Sequence, residues 1–409
     1  MRRFALITLS SLFLATGTLH AASMDEFKRD CAAVKGSSSA VKALFGCASD
    51  FFTLEPIHPI VRTIVPGGGT GIGINYTLDS PKGEWHRKLT VTGAESLRGF
   101  WVAESILRLT HPKFGDWNTA KAGDAFATHF YLRARGLPLM PFYGIGPRTN
   151  KANLVDYEER DVFVGADFVN PVSSWLRVGG LVEGIFPDIN GISGTKIRSI
   201  DRLFNEASAP GLLHQPKFVH SEISVTPHHA YPFELNYHIG YNFLTDTDTG
   251  HYSFQRFRAD LRHNVYFTRS KSIPKRDAGV LEIRGLLSMS HTSAGNAIPF
   301  YLQETLGGSD INNDPTLRGF ADYRFRGPHL VEISTQYERR VWSYFGVLGF
   351  YDAGQVAIRK GDLSLGNMRQ SFGFGINVWA ESKVVFRAYI GLGSGEGSHR
   401  YVGLAPGIQ

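Results

Sequence analysis

From Thr70 onward the sequence alternates apolar and polar residues over segments of roughly ten positions, and few folds can use that pattern so often. In residues 256–267, Phe257, Ala259, Leu261, Val265 and Phe267 share one face, and Arg256, Arg258, Asp260, Arg262 and Asn264 share the other. Residues 234–243, 280–289, 330–341 and 371–378 repeat the arrangement. One face is oily throughout and the other polar, which calls for a sheet with hydrocarbon on one side and a polar space on the other.

A soluble sandwich could also bury an oily face. Two observations favour a membrane barrel instead. Residues 1–22 have the form of a secretory signal: Arg2 and Arg3, an apolar run from Phe4 to Ala15, then small residues to Ala21 and Ala22. Tyr, Phe and Trp also gather near the ends of the alternating segments, as in aromatic girdles. Frequent glycine (45 residues) and 12% aromatic content suit a strongly curved sheet.

The expected fold is all-β: a 16-stranded antiparallel transmembrane β-barrel over residues 67–409, preceded by a short helical N-terminal segment over 23–66. The sixteen strands are reached by starting at Thr70 and counting a short piece over Pro141–Arg148. With the N-terminus in the periplasm, the long connections 187–216 and 291–328 fall on the outer side. Residues 25–35 and 40–47 read as two short helices. Cys31 and Cys47, the two cysteines of the chain, would clip them together by a disulfide in an oxidising compartment. No histidine stands near them at metal-ligand spacing, so no metal is expected there.

The 43 basic residues exceed the 37 acidic ones by six, two of which are Arg2 and Arg3 of the leader, and both signs are scattered. A nucleic-acid partner gets no support from that balance. Fifteen histidines raise the possibility of a lipid-modifying enzyme, through His220 with Ser221, Ser288 with His291, or His228 with His229. No nucleophile, base and orienting acid converge in the pattern, so no enzyme and no cofactor is expected.

The connection 291–328 is the most distinctive stretch. Arg318 lies in a glycine-rich segment and Asp352 in an apolar strand-like run, and each would be costly to bury alone, so they are expected to pair. Around them stand Ile298-Pro299-Phe300-Tyr301, Leu306-Gly307-Gly308, Leu317-Arg318-Gly319-Phe320, Arg324-Phe325-Arg326-Gly327 and Phe350-Tyr351-Asp352-Ala353-Gly354. In that order they resemble the BamA/TamA-like outer-membrane barrels of the bacterial surface antigen superfamily. Phe142-Tyr143-Gly144-Ile145-Gly146 and Ile64-Val65-Pro66-Gly67-Gly68-Gly69 look like pieces of the same family.

The resemblance implies that the sixth outer loop folds into the lumen with Arg318, Gly319 and Phe320 at its tip. It implies that Arg318 meets Asp352 of the strand motif Phe350, Asp352 and Gly354, with Glu338 as a third latch member. It also implies a place in the bacterial outer membrane, and a role in inserting or moving protein or lipid. The partners would be outer-membrane lipid and unfolded outer-membrane or secreted protein, and a loop-gated pore is the alternative. Residues 23–66 lack the pattern of the periplasmic POTRA modules found in many members, so the chain looks like the subgroup without them. The ending Pro406-Gly407-Ile408-Gln409 departs from the aromatic final residue common in the family.

Overall fold

The computed structural model describes residues 56–112, 125–229, 233–267, 279–342, 344–380 and 383–404. Cys31, Cys47, the leader and the helical pieces lie outside the described residues.

Eighteen strands follow one another: β1 (Ile57–Thr63), β2 (Thr70–Lys82), β3 (Trp85–Ser96), β4 (Trp101–Pro112), β5 (Ala125–Phe142), β6 (Val155–Ser173), β7 (Leu176–Gly191), β8 (Phe218–His229), β9 (Phe233–Asp246), β10 (Phe254–Phe267), β11 (Gly279–Thr292), β12 (Glu304–Leu306), β13 (Phe325–Gly327), β14 (His329–Arg340), β15 (Phe345–Ala357), β16 (Arg369–Ala380), β17 (Lys383–Gly393) and β18 (Gly397–Leu404). Sixteen of them form one antiparallel sheet in chain order, from β1 to β18, while β12 and β13 make a separate two-stranded ribbon. Among the described residues no helix is long and apolar enough to cross a membrane, so any crossing is made by strands.

The alternation is used as expected. Registers place Phe257 opposite Tyr241 and Met289, and Ile333 opposite Gly285 and Ala353, so oily residues stay on one face from strand to strand. That face is the outside: Ile74 is 61% exposed and Phe374 67%. Large apolar side chains left bare on so many strands are costly in water and favourable in hydrocarbon.

Two boundaries differ from the sequence reading. Residues 141–148 are not a strand; β5 runs through to Phe142, with a register shift between Leu137 and Met140 that takes Pro138 out of the ladder. A bulge is where a sheet tolerates a residue without an N–H. The missing strand is β1, so the barrel begins at Ile57 rather than residue 67. β1 contains Pro59 and still forms a strand, because it pairs on one side alone and an edge accepts proline. The total of sixteen survives because one error offset the other. The exchange moves the hairpin at Gly83-Glu84 to the rim opposite the connections 192–217 and 293–328.

Counted from β1, the connection 293–328 is the sixth outer loop, and it packs against the inside of the wall. One buried apolar cluster joins wall residues Val102, Leu137, Phe142 and Tyr157 to loop residues Phe300, Tyr301 and Tyr323. A second joins Leu306, Leu317, Phe320 and Phe325 of the loop to Leu286, Leu330 and Val356 of β11, β14 and β15. Among the described residues no ladder joins β1 to β18, so the two facing edges are unpaired there.

Candidate functional site

The loop tip is built around Arg318, whose side chain is 3% exposed, and Asp352, whose carboxylate is 0% exposed. Arg318 donates to Asp352 three times: backbone N to Oδ2 at 2.9 Å, Nε to Oδ2 at 3.0 Å and Nη2 to Oδ1 at 2.6 Å. Its remaining donors reach Ser334 Oγ at 3.2 Å and Gln336 Oε1. Ser334 and Ser371 donate to the same carboxylate from the flanking strands β14 and β16, at 2.8 and 3.2 Å. The guanidinium carbon lies 3.8 Å from the centre of the Phe350 ring, which faces inward from β15. Every polar atom of this buried pair is answered, the condition under which a buried ion pair holds a structure together.

Gly319 and Phe320 have different roles. A Cβ on Gly319 would come within 2.5 Å of the Gly393 backbone nitrogen. Gly391 and Gly393 of β17 are as tight in return, at 2.5 Å from Arg318 O and 2.6 Å from Gly319 O. The tip therefore lies backbone against backbone on β17, an approach that side chains would prevent. Phe320 fills the second apolar cluster, its ring 5.3 Å from Phe325. Leu317, just before the arginine, has a φ of 24°, which a leucine adopts at a cost of roughly 1–3 kcal/mol. Its N–H is held by Glu332 Oε1 at 3.1 Å.

Glu338 does not touch Arg318. It faces the lumen as its parity requires and accepts from Asn377 at 2.9 Å, Arg387 at 3.0 Å and Gln336 at 3.3 Å, so it reaches the arginine only through Gln336. Two places nearer the loop on β14, Gln336 takes the arginine, and Glu332 takes the turn before it. Their signal was available in the same inward parity, but a glutamine carries no charge to draw attention. Gly354 lets the β12 ribbon pass, since a Cβ there would meet Leu306 Cδ1 at 3.1 Å.

The loop has other anchors. Arg324, 1% exposed, holds Glu396 of the β17–β18 hairpin with Nε and Nη2 at 2.8 and 2.7 Å, and Thr149 Oγ1 and O at 2.7 Å each. Glu304 of β12 lies 3.2 Å from Arg256 and 3.0 Å from Arg258. Asp314 meets Arg262 at 2.8 Å, and Arg284 donates to Pro315 O at 3.1 Å. Burial pushes the carboxyls of Asp310 and Asp322, both in the loop, up to about 6.

The residues considered for catalysis do not assemble. His220 and Ser221 are neighbours on β8, with His220 turned inward to Glu183 and Asn242. The Ser288 hydroxyl donates to Glu304 at 3.0 Å. Among the described residues no group of three or more His, Cys, Asp or Glu side chains could hold a metal ion.

No protein-family model matches the chain. A NADP-dependent malic enzyme of Salmonella typhimurium is 29% identical over 102 residues, covering 25% of this chain and 13% of that protein. Among solved structures, BamA from Haemophilus ducreyi lacking POTRA domains 1–3 is similar with a TM-score of 0.52 at 11% identity, over 93% of this chain and 80% of that one. CdiB from Escherichia coli gives a TM-score of 0.51 at 10% identity, over 86% of this chain and 61% of that one. At such identities the likeness is one of fold. The chain has the sixteen-stranded barrel fold of the BamA-type outer-membrane proteins, with its sixth outer loop latched inside the wall.

Proposed function

We propose that this protein sits in the bacterial outer membrane and helps insert or move protein or lipid there, without enzymatic chemistry of its own. The observation that carries the reading is the contrast between a stoppered lumen and an unpaired seam. The sixth loop is bonded to the wall from β10 to β17 and adds an apolar layer across the upper lumen. A passive pore would keep its lumen clear. The seam, by contrast, is bordered by the two shortest wall strands among the described residues, β1 with 7 residues and β18 with 8, each pairing there on one side only. A free strand edge offers unpaired N–H and C=O groups to another extended chain.

A photo-crosslinking residue in place of Val61 on β1, used in growing cells, tests this reading. Adducts with other outer-membrane or secreted proteins support protein handling, and adducts confined to lipid favour lipid transfer. Absence of both overturns it. Planar-bilayer recording tests the gated pore: a large steady conductance appearing in Arg318→Ala would favour that alternative, while silence in both forms counts against it.

A further inference from the structure

The outer end of β18 carries a charge on the face turned away from the lumen. Tyr401 points inward and stacks on Tyr389, with ring centres 5.0 Å apart and planes at 11°. Alternation then sends Ser398, Arg400 and Val402 outward. Arg400 is paired with Ile390 of β17, which is paired in turn with Phe374 of β16. Ile390 is 40% exposed, Phe374 67% and Val402 72%, so the arginine stands among oily residues that face hydrocarbon. On that face of β17 only Leu392 lies between this row and the outer end of the strand.

Arg400 is itself exposed, and among the described residues it has no ion pair or hydrogen bond. The nearest acid along the chain, Glu396, is held through both its oxygens by Arg324. Arg160, which points outward from the top of β6, is treated differently and has Glu158 at 2.7 Å. A bare guanidinium against hydrocarbon is unfavourable, increasingly so toward the midplane. Arg400 follows Gly397 by three residues, about 10 Å along the strand at the usual rise. A long side chain can span that depth by laying its stem over apolar neighbours and lifting its charged end to headgroup level. The anion found at that level of a bilayer is the lipid phosphate, whose oxygens the guanidinium fork matches two at a time.

We propose that Arg400 binds the phosphate of an outer-leaflet lipid, fixing one lipid molecule against β18 beside the seam. Lipid A and a glycerophospholipid share this chemistry. The inference rests on the outer-membrane placement proposed above and not on what the seam handles.

The purified full chain in a non-ionic detergent is mixed with lipid A, with phosphatidylglycerol or, as the probe without phosphate, with monogalactosyl diacylglycerol. Retained lipid is counted by native mass spectrometry. One phosphate lipid per barrel should be retained, in preference to the galactolipid. Arg400→Gln should lower that retention about tenfold, the worth of a charge-assisted hydrogen bond. Arg400→Lys, which keeps the charge without the fork, should lie between. Both variants are checked for the heat-dependent gel shift of a folded barrel. Stronger retention of lipid A or of phosphatidylglycerol assigns the source of the phosphate. Equal retention by wild type and Arg400→Gln overturns the proposal, as does equal retention of the galactolipid. A photo-crosslinking residue in place of Ser398 that captures protein and no lipid in growing cells overturns it as well. Sedimentation of the cell envelope reports the membrane separately, so a failed lipid site and a misplaced barrel are told apart.

Discussion

The lumen has two walls that treat charge differently. On the wall from β10 to β17, several polar side chains find partners in the sixth loop: Arg256 and Arg258 on Glu304, Arg262 on Asp314, Asp352 on Arg318. On the wall from β5 to β9 they find each other. Tyr131 donates to Glu183, which also meets His220; His129 pairs with Asp167 and His238 with Glu222. The side chains of Arg318 and Asp352 are 3% and 0% exposed, whereas His129 and Asp167 are 26% and 28% exposed and His238 is 45% exposed. A partner lost from the exposed pairs at His129 and His238 is replaced by water. A partner lost from the docked wall leaves a charge with nothing, so the same type of contact carries unequal weight on the two sides.

Substitutions can test that difference. Asp352→Ala is expected to have the largest effect, because it removes the acceptor of five hydrogen bonds and strands the Arg318 guanidinium. A loss of roughly 3–5 kcal/mol is expected, read as a lower urea midpoint of the folded-barrel gel band. An unchanged midpoint would erase the distinction between the walls. Next comes pH. Because burial raises the Asp322 carboxyl to about 6, the docked loop favours its protonated form. That contribution is full below pH 4 and is lost as pH rises through 6, by at most about 3 kcal/mol. Asp322→Asn should make the fall of the unfolding midpoint between pH 4 and 6 shallower, leaving the part that the Asp310 carboxyl contributes.

Gly319→Ala should cost about 1–3 kcal/mol by forcing the tip off β17, detectable as faster proteolysis of the loop. Glu338→Gln should leave that proteolysis unchanged and lower the midpoint by no more than about 1 kcal/mol, since its partners are on the wall. The smallest effect belongs to His238→Ala on the free wall, within about 1 kcal/mol. A loss there as large as that of Asp352→Ala would show that the free wall is as tightly bound as the docked one.

Much of this was legible in the sequence because a period of two leaves no freedom: once one face is oily, every other residue is assigned. Arg318 and Asp352 stood out as charges that needed each other. Glu338 shows the limit of such reasoning. Parity gives the face but not the height, and residues 332, 336 and 338 are equally inward, so only the depth to which the loop descends selects among them. Gly391 and Gly393 were silent for a related reason. Their importance comes from the backbone of a loop about seventy residues earlier, and no local pattern marks it. Pro59 and Pro138 stand within strands because an edge and a bulge are the places where a sheet accepts proline.

The grip of Arg324 on Glu396 ties two parts of the barrel together in motion as well as in position. Glu396 belongs to the hairpin that leads into β18, the last strand of the wall and one border of the seam. A loop that withdraws toward the outside must either release that carboxylate or drag the top of the border strand with it. Loop and seam therefore share one degree of freedom: the order in which they move is set by whether the Arg324 fork or the β17–β18 ladder yields first.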